Sequence, residues 1–409
     1  MLTINKTTNF LLYLILLSPL LTAITHDKLG LQTFKFYLSF LIFAYGIIFF
    51  FKKIKMPDFT VMALFWLIYL LAMPWLVDDF RLWNSFGRIH RFSPLFMILI
   101  VIYNTKFDDQ FIERTIKVFK VIAIITFIVS VIQFFSPGFF RGEAEYMANV
   151  YSIRRNSIFG YEHSALGLSF IPLLSVLIGY MIYKKERFLI YFIIMGGVTT
   201  FLSNSRFIMV AFFIISIQLI LANRDKLEGV IKYIFLIGVF LLVSYLILQY
   251  LGYDLKKWKK NRLFKEGSIE ETTRFKAINT FKMFFPQHPY FGNGFLADEE
   301  VVKVSRSIGS SQIHVGYLSH LVAYGIVGCF FLYGFWFLLL RRLSRVARKT
   351  TYWGSFFAFL SFLWAFATFC QSVFLYGGII FGFVFDKYFA DQYLENHSRL
   401  EQAGQYPST

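Results

Sequence analysis

Lys256-Lys-Trp-Lys-Lys-Asn-Arg262, Ser268-Ile-Glu-Glu271, His288-Pro-Tyr-Phe-Gly-Asn-Gly294 and Ser310-Ser-Gln-Ile-His-Val-Gly316 follow one another within residues 252–316, the one long polar interruption of an apolar chain. The Ser-x-x-Glu spacing at 268–271 is a helix start, because the serine can accept from the third backbone amide and the glutamate can reach back to cap it. The predicted helix carries Arg274 and sets Phe275, Ile278, Phe281 and Phe285 three or four apart on one face, and Pro286 stops it. His288 to Gly294 reads as a turn. The next apolar run begins directly after Gly316. The rest of the chain is organised to hold this stretch at one face of a membrane.

Composition requires a membrane. Apolar residues make up 57% of the 409 and charged residues 16%, too little charge for a soluble chain of this length. The apolar windows give about twelve spans, at roughly 9–25, 34–51, 59–77, 92–103, 118–135, 165–183, 188–202, 207–222, 230–251, 317–340, 352–369 and 373–385. The expected fold is all-α and polytopic, one membrane domain over 1–409, with residues 386–409 as a polar tail. Lys and Arg concentrate in the short connections 52–58, 104–117, 184–187, 223–229 and 341–351. This puts those connections and both termini in the cytoplasm, and residues 252–316 outside. The net charge of +17 suits anionic lipid and phosphate-bearing ligands. Nucleic acid is not expected as a partner, since the positive charge is divided among short loops. Cys329 and Cys370 fall in or beside apolar runs and read as packing, not as a disulfide or metal pair.

Chemistry is sought among the polar residues of the outer face. Arg206 lies between two apolar runs, where an ionisable side chain is costly, although an arginine at a membrane edge can also simply snorkel. Arg274 is a functional cation or a solvated helix charge. His314 stands where the loop re-enters the membrane, and His163 precedes span six in the same way. Arg88, Arg155 and His288 belong to the same face. Guanidinium groups donate in a planar, bidentate fashion to phosphate and stay charged, so several arginines and a histidine on one face suit a diphosphate at the membrane surface. The outer loops contain no Asp-x-Asp pair, and Asp298-Glu-Glu300 reads as a solvated acidic patch. Arginine is therefore preferred over a divalent metal, and neither a metal nor another cofactor is expected.

Four stretches together resemble the O-antigen ligase and polymerase family of bacterial envelope glycosyltransferases. They are Gly160-Tyr-Glu-His163-Ser-Ala, Thr200-Phe-Leu-Ser-Asn-Ser-Arg206, Arg274 with His288-Pro-Tyr-Phe-Gly292-Asn-Gly294, and His314-Val-Gly-Tyr-Leu followed by Tyr324-Gly325-Ile-Val-Gly328. The resemblance covers residues 155–330. It implies a GT-C-like helical fold and a bacterial inner-membrane enzyme. It also implies transfer of a glycan from undecaprenyl diphosphate to an acceptor hydroxyl, on lipid A–core or on a lipid-linked repeat unit, with inversion and without metal. The essential groups carry over to Arg206, Arg274 and His314, with His163, Arg155, Arg88 and His288 as further contacts to the diphosphate or glycan. The competing reading is a lipid-linked glycan transporter or flippase. The absence of matching halves counts against it.

Overall fold

A computed structural model describes residues 9–14, 41, 44, 56–77, 82–136, 139, 169–203, 205–222, 273–294, 316–369 and 377–402. Among them there is no strand. The helices are α1 (Phe59–Leu76), α2 (Leu82–Asn104), α3 (Asp109–Phe135), α4 (Ile171–Tyr183), α5 (Leu189–Leu202), α6 (Arg206–Ala222), α7 (Thr273–Phe284), α8 (Gly316–Thr350), α9 (Gly354–Phe369) and α10 (Gly377–Gln402). Three of these, α1, α3 and α8, are long and apolar enough to cross a bilayer, and five shorter apolar helices accompany them. The described residues are thus all-helical and consistent with a membrane protein. The expected spans 34–51 and 230–251 lie outside the described residues, apart from positions 41 and 44.

Each helix follows from a local reason. Asp108 caps α3 by accepting from the Phe111 amide at 2.7 Å, which satisfies one of the free donors of the first turn. Residues Ile171 to Met181 of α4 are all buried, as expected of a helix apolar on every side. α9 packs against α4, α6, α8 and α10. Close approach at this centre depends on small residues: a Cβ on Gly179 would strike the Gly354 backbone, and Ser175 Oγ donates to the Gly354 carbonyl at 3.0 Å. Direct helix contact through glycine is how apolar helices gain packing energy where lipid is no worse a solvent than Leu. By contrast, Val61, Leu64, Ile68, Leu71 and Trp75 of α1 and Val121, Ile124, Ile125 and Ile128 of α3 are exposed. In a membrane protein these rows face lipid.

α1 and α8 run antiparallel. Phe59 meets Phe335, Phe65 meets Phe331, and Tyr69 packs on Gly328, so the partner number falls as the α1 number rises. At one end of the bundle lies a buried polar cluster. Tyr103 Oη donates to Asp386 Oδ2 at 3.0 Å, Arg342 Nε donates to the same oxygen at 3.3 Å, and the Arg342 guanidinium sits 4.1 Å above the Tyr103 ring.

The structure differs from the sequence expectations at three helices. The connection expected over 78–91 is helical from Leu82 onward. Leu82, Phe86, Ile89 and Phe92 recur at helical spacing, and the charges between them masked that period. The polar segment 386–402, expected as a tail, continues α10. It is held where Tyr388 and Gln392 donate to Asp109 at 2.8 and 3.3 Å and where Lys106 pairs with Glu395. That ammonium holds the Glu395 carboxyl below the usual carboxylate range. Finally, α8 is not straight: Gly325 has φ 60° and ψ −172°, outside helical geometry.

Candidate active site

The break in α8 is filled by the turn that the sequence marks as His288-Pro-Tyr-Phe-Gly-Asn-Gly294. Opening a helix inside a membrane frees backbone donors and acceptors that must find partners. Here the partners come from another segment. The Asn293 amide donates to the Val322 carbonyl at 2.8 Å, the Ile326 amide to the Pro289 carbonyl at 2.9 Å, and the Val327 amide to the Tyr290 carbonyl at 3.0 Å. Tyr69 Oη of α1 lies 2.6 Å from the carbonyls of both Phe291 and Tyr324, tying turn and break to a third element.

The glycines of both motifs are explained by this seat. Gly292 has φ 78°, and a Cβ there would come within 2.5 Å of the Ala323 carbonyl oxygen and the Gly325 nitrogen. A Cβ on Gly325 would strike the Tyr290 carbonyl, and one on Gly328 the Tyr69 ring. Positive φ and backbone contact are the two demands only glycine meets cheaply.

α7 is carried by this seat. Its last turn packs Phe284, with Phe281 and Phe285 beside it, against Leu318 and Val322 of α8, and Asn293 Nδ2 donates to the Phe284 carbonyl at 2.9 Å. The expected apolar face is rotated: Phe284 is buried, whereas Ile278 is 38% exposed. α8 approaches the helix along the face of Thr280 and Phe284, so the spacing was right and the phase was not. The helix is observed from Thr273, and Ser268–Glu271 lie outside the described residues. Pro286 falls in a 3-10 turn, Phe285–Gln287, where it ends the α-helix.

The predicted site residues distribute as follows. Arg206 is the first residue of α6, and Arg274 is the second of α7, about 15 Å along the helix from Phe284. Arg88 lies within α2. The side chains of these three are outside the described residues, as are His314, His163 and Arg155 entirely. His288 is exposed in the turn, and its carbonyl accepts from the Gly292 amide at 2.8 Å.

The described neighbours of two of these residues meet on α9. The Phe207 carbonyl, next to Arg206, accepts from Trp364 Nε1 at 3.1 Å. Gly316, two residues after His314, lies against the carbonyls of Phe366 and Ala367, where a Cβ would not fit. One turn of α9 therefore touches the start of α6 and the start of α8, and α8 carries α7. Sequence reasoning missed Tyr69, His320 and Tyr333 at this end. Polar aromatic side chains inside apolar runs were the available signal.

Comparison with known proteins fits this geometry. No curated protein matches the chain. Residues 190–333 match the family described as O-antigen ligase. The matched region runs from α5 through α6 and α7 into α8, and so includes Arg206, Arg274, His288 and His314 as well as the turn and the helix break that seats it. Over residues 190–333 the chain is similar to the O-antigen ligase family.

Proposed function

We propose that the protein transfers an oligo- or polysaccharide from undecaprenyl diphosphate to an acceptor hydroxyl at the outer face of the bacterial inner membrane. The observation that carries this is the coincidence of the family domain with α6, α7 and α8, the elements that bear Arg206 and Arg274 and follow His314. The acceptor is lipid A–core for a ligase and the next lipid-linked repeat unit for a polymerase. The donor chemistry is the same for both.

In the proposed reaction the acceptor oxygen attacks the anomeric carbon on the face opposite the diphosphate. The new C–O bond forms as the bond to the diphosphate oxygen breaks, and the configuration inverts. The acceptor proton passes to His314, because an unperturbed imidazole, with a pKa of about 6.5, can accept a proton near neutrality. The electron pair leaves with undecaprenyl diphosphate. Arg206 and Arg274 stabilise the charge growing there, and such fixed electrostatic stabilisation is often the largest catalytic contribution. The arginines supply the positive charge, so the mechanism uses no metal. Arg88, Arg155, His163 and His288 hold the remainder of the diphosphate or the glycan. α7, anchored at its C-terminal turn, presents Arg274 from its other end and orders the donor beside the acceptor.

Complementation of a deletion strain tests this, with surface glycan read on a gel. Wild type restores the native ladder, and Arg274→Ala restores nothing at equal protein level. Single repeats on the acceptor in the deletion strain identify a polymerase. Long lipid-linked chains left unattached identify a ligase. Glycan retained on the cytoplasmic side identifies a transporter and overturns the proposal, as does full activity of Arg274→Ala.

A further inference from the structure

His320 and Tyr333 are 13 residues apart, a rise of about 20 Å in a continuous helix. Yet His320 Nδ1 and Tyr333 Oη are hydrogen bonded at 2.9 Å. Residues 316–324 therefore bend at Gly325 toward the start of 326–350. His320 is 5% exposed. Its ring stacks on Phe366 at 4.7 Å and 25°, with Tyr324 on a near-parallel plane at 6.2 Å. The Phe366 carbonyl is the surface on which Gly316 rests. Two residues earlier on α9, the Trp364 indole holds the Phe207 carbonyl beside Arg206. Packing alone does not call for a histidine here, since a buried imidazole in a membrane carries a desolvation cost that leucine or phenylalanine avoids. A hydrogen bond between the two arms of the break is one thing the imidazole adds.

We infer that His320 is a positioning residue for the transfer reaction: bonded to Tyr333 and stacked on Phe366, it fixes the arm 316–324, which directly follows His314 in the chain. This rests on the reading of His314 as the acceptor's base. The imidazole acts through backbone and packing and does not touch substrate. A role confined to folding would reduce the amount of folded protein and leave the turnover of each folded molecule unchanged. A positioning role lowers kcat at a nearly constant KM for the donor, because the donor diphosphate is held by other groups.

The test uses the purified full chain and, as donor, lipid-linked glycan extracted from the deletion strain, with turnover expressed per folded molecule. Tyr333→Phe removes the hydrogen bond and keeps a ring, and His320→Phe does the same from the other side. Each is expected to lower kcat about tenfold with KM within about twofold. The double variant is expected to lose less than the product of the two single losses, because both remove the same bond. His320→Asn, which places an amide group where Nδ1 stood, is expected to recover part of the loss. Wild-type turnover in His320→Phe, or losses that multiply in the double variant, overturns the inference. His314→Ala is the reference. If it turns over like wild type, the reading of His314 falls and the inference with it. If it is inactive while His320→Phe is unimpaired, the inference alone falls.

Discussion

Gly292 and Gly325 meet backbone to backbone, each with positive φ and each where a Cβ would enter the other's peptide. Gly325→Ala is therefore expected to cost about 3 kcal/mol, combining strained backbone with a forced separation of the two segments. Tyr69→Phe removes a hydroxyl shared by two carbonyls and leaves the ring packing, and should cost about 1–2 kcal/mol. Thermal unfolding in detergent checks both, and a Tyr69→Phe effect as large as that of Gly325→Ala would contradict the account of the break. At Arg274 the distinction is between charge and shape. A lysine keeps the charge but loses the planar fork that grips two phosphate oxygens. Arg274→Lys should accordingly retain only a small part of the turnover, measured on the same lipid-linked donor.

Among the described residues α7 is held at its last turn, by Phe284 in its pocket and Asn293 on the Phe284 carbonyl. Phe284→Ala should cost about 3 kcal/mol of docking energy, with the loss confined to this helix. Proteolysis within 285–294 should accelerate and transfer should fall, while the bundle of α4, α6 and α9 melts as before. A uniform drop in melting temperature with unchanged proteolysis would refute this. The element scale also shows what a reader of the sequence can recover. The apolar runs located α1, α5, α6 and α9 to within a few residues, since a run of that composition has one low-energy answer in lipid. The glycine motif at 288–294 was legible as a turn. Its seat was not, because the break at Gly325 lies inside an unbroken apolar run and its backbone hydrogen-bond partners come from 29 to 37 residues upstream. The phase of α7 was illegible for the same reason: Phe281, Phe284 and Phe285 are chemically equal, and only the position of Leu318 and Val322 selects Phe284. Residue type singles out Arg206, Arg274 and His314 as candidates, but the shared turn of α9 that touches Phe207 and Gly316 belongs to tertiary structure alone.

At the scale of the molecule, the longest-range of the described hydrogen bonds join the last described helix to early segments. Asp386 of α10 meets Tyr103 of α2 across 283 positions, and Lys106 meets Glu395 across 289. Asp386 is 1% exposed, whereas the Arg342 side chain is 36% exposed, so the pair's energetics are asymmetric. Arg342→Met leaves a buried carboxylate with a hydroxyl as its remaining described donor and should cost about 2 kcal/mol, less than a fully buried pair because Arg342 is part-solvated. Adding Asp386→Leu should restore most of that stability, as apolar replacements of both partners commonly do. Thermal melts of the single and double variants decide this, and a double variant less stable than the single would overturn it. The same long separations set an order of events during synthesis. The ribosome releases His288 to Gly294 before Val322 to Val327 exists, and Tyr69 is 255 positions ahead of the Tyr324 carbonyl it meets. The turn that anchors α7 must wait for α8 to be made and to bend. A nascent chain arrested before Gly325 holds the complete motif with nothing to seat it on, so the helix bearing Arg274 is among the last parts of the protein to be put in place.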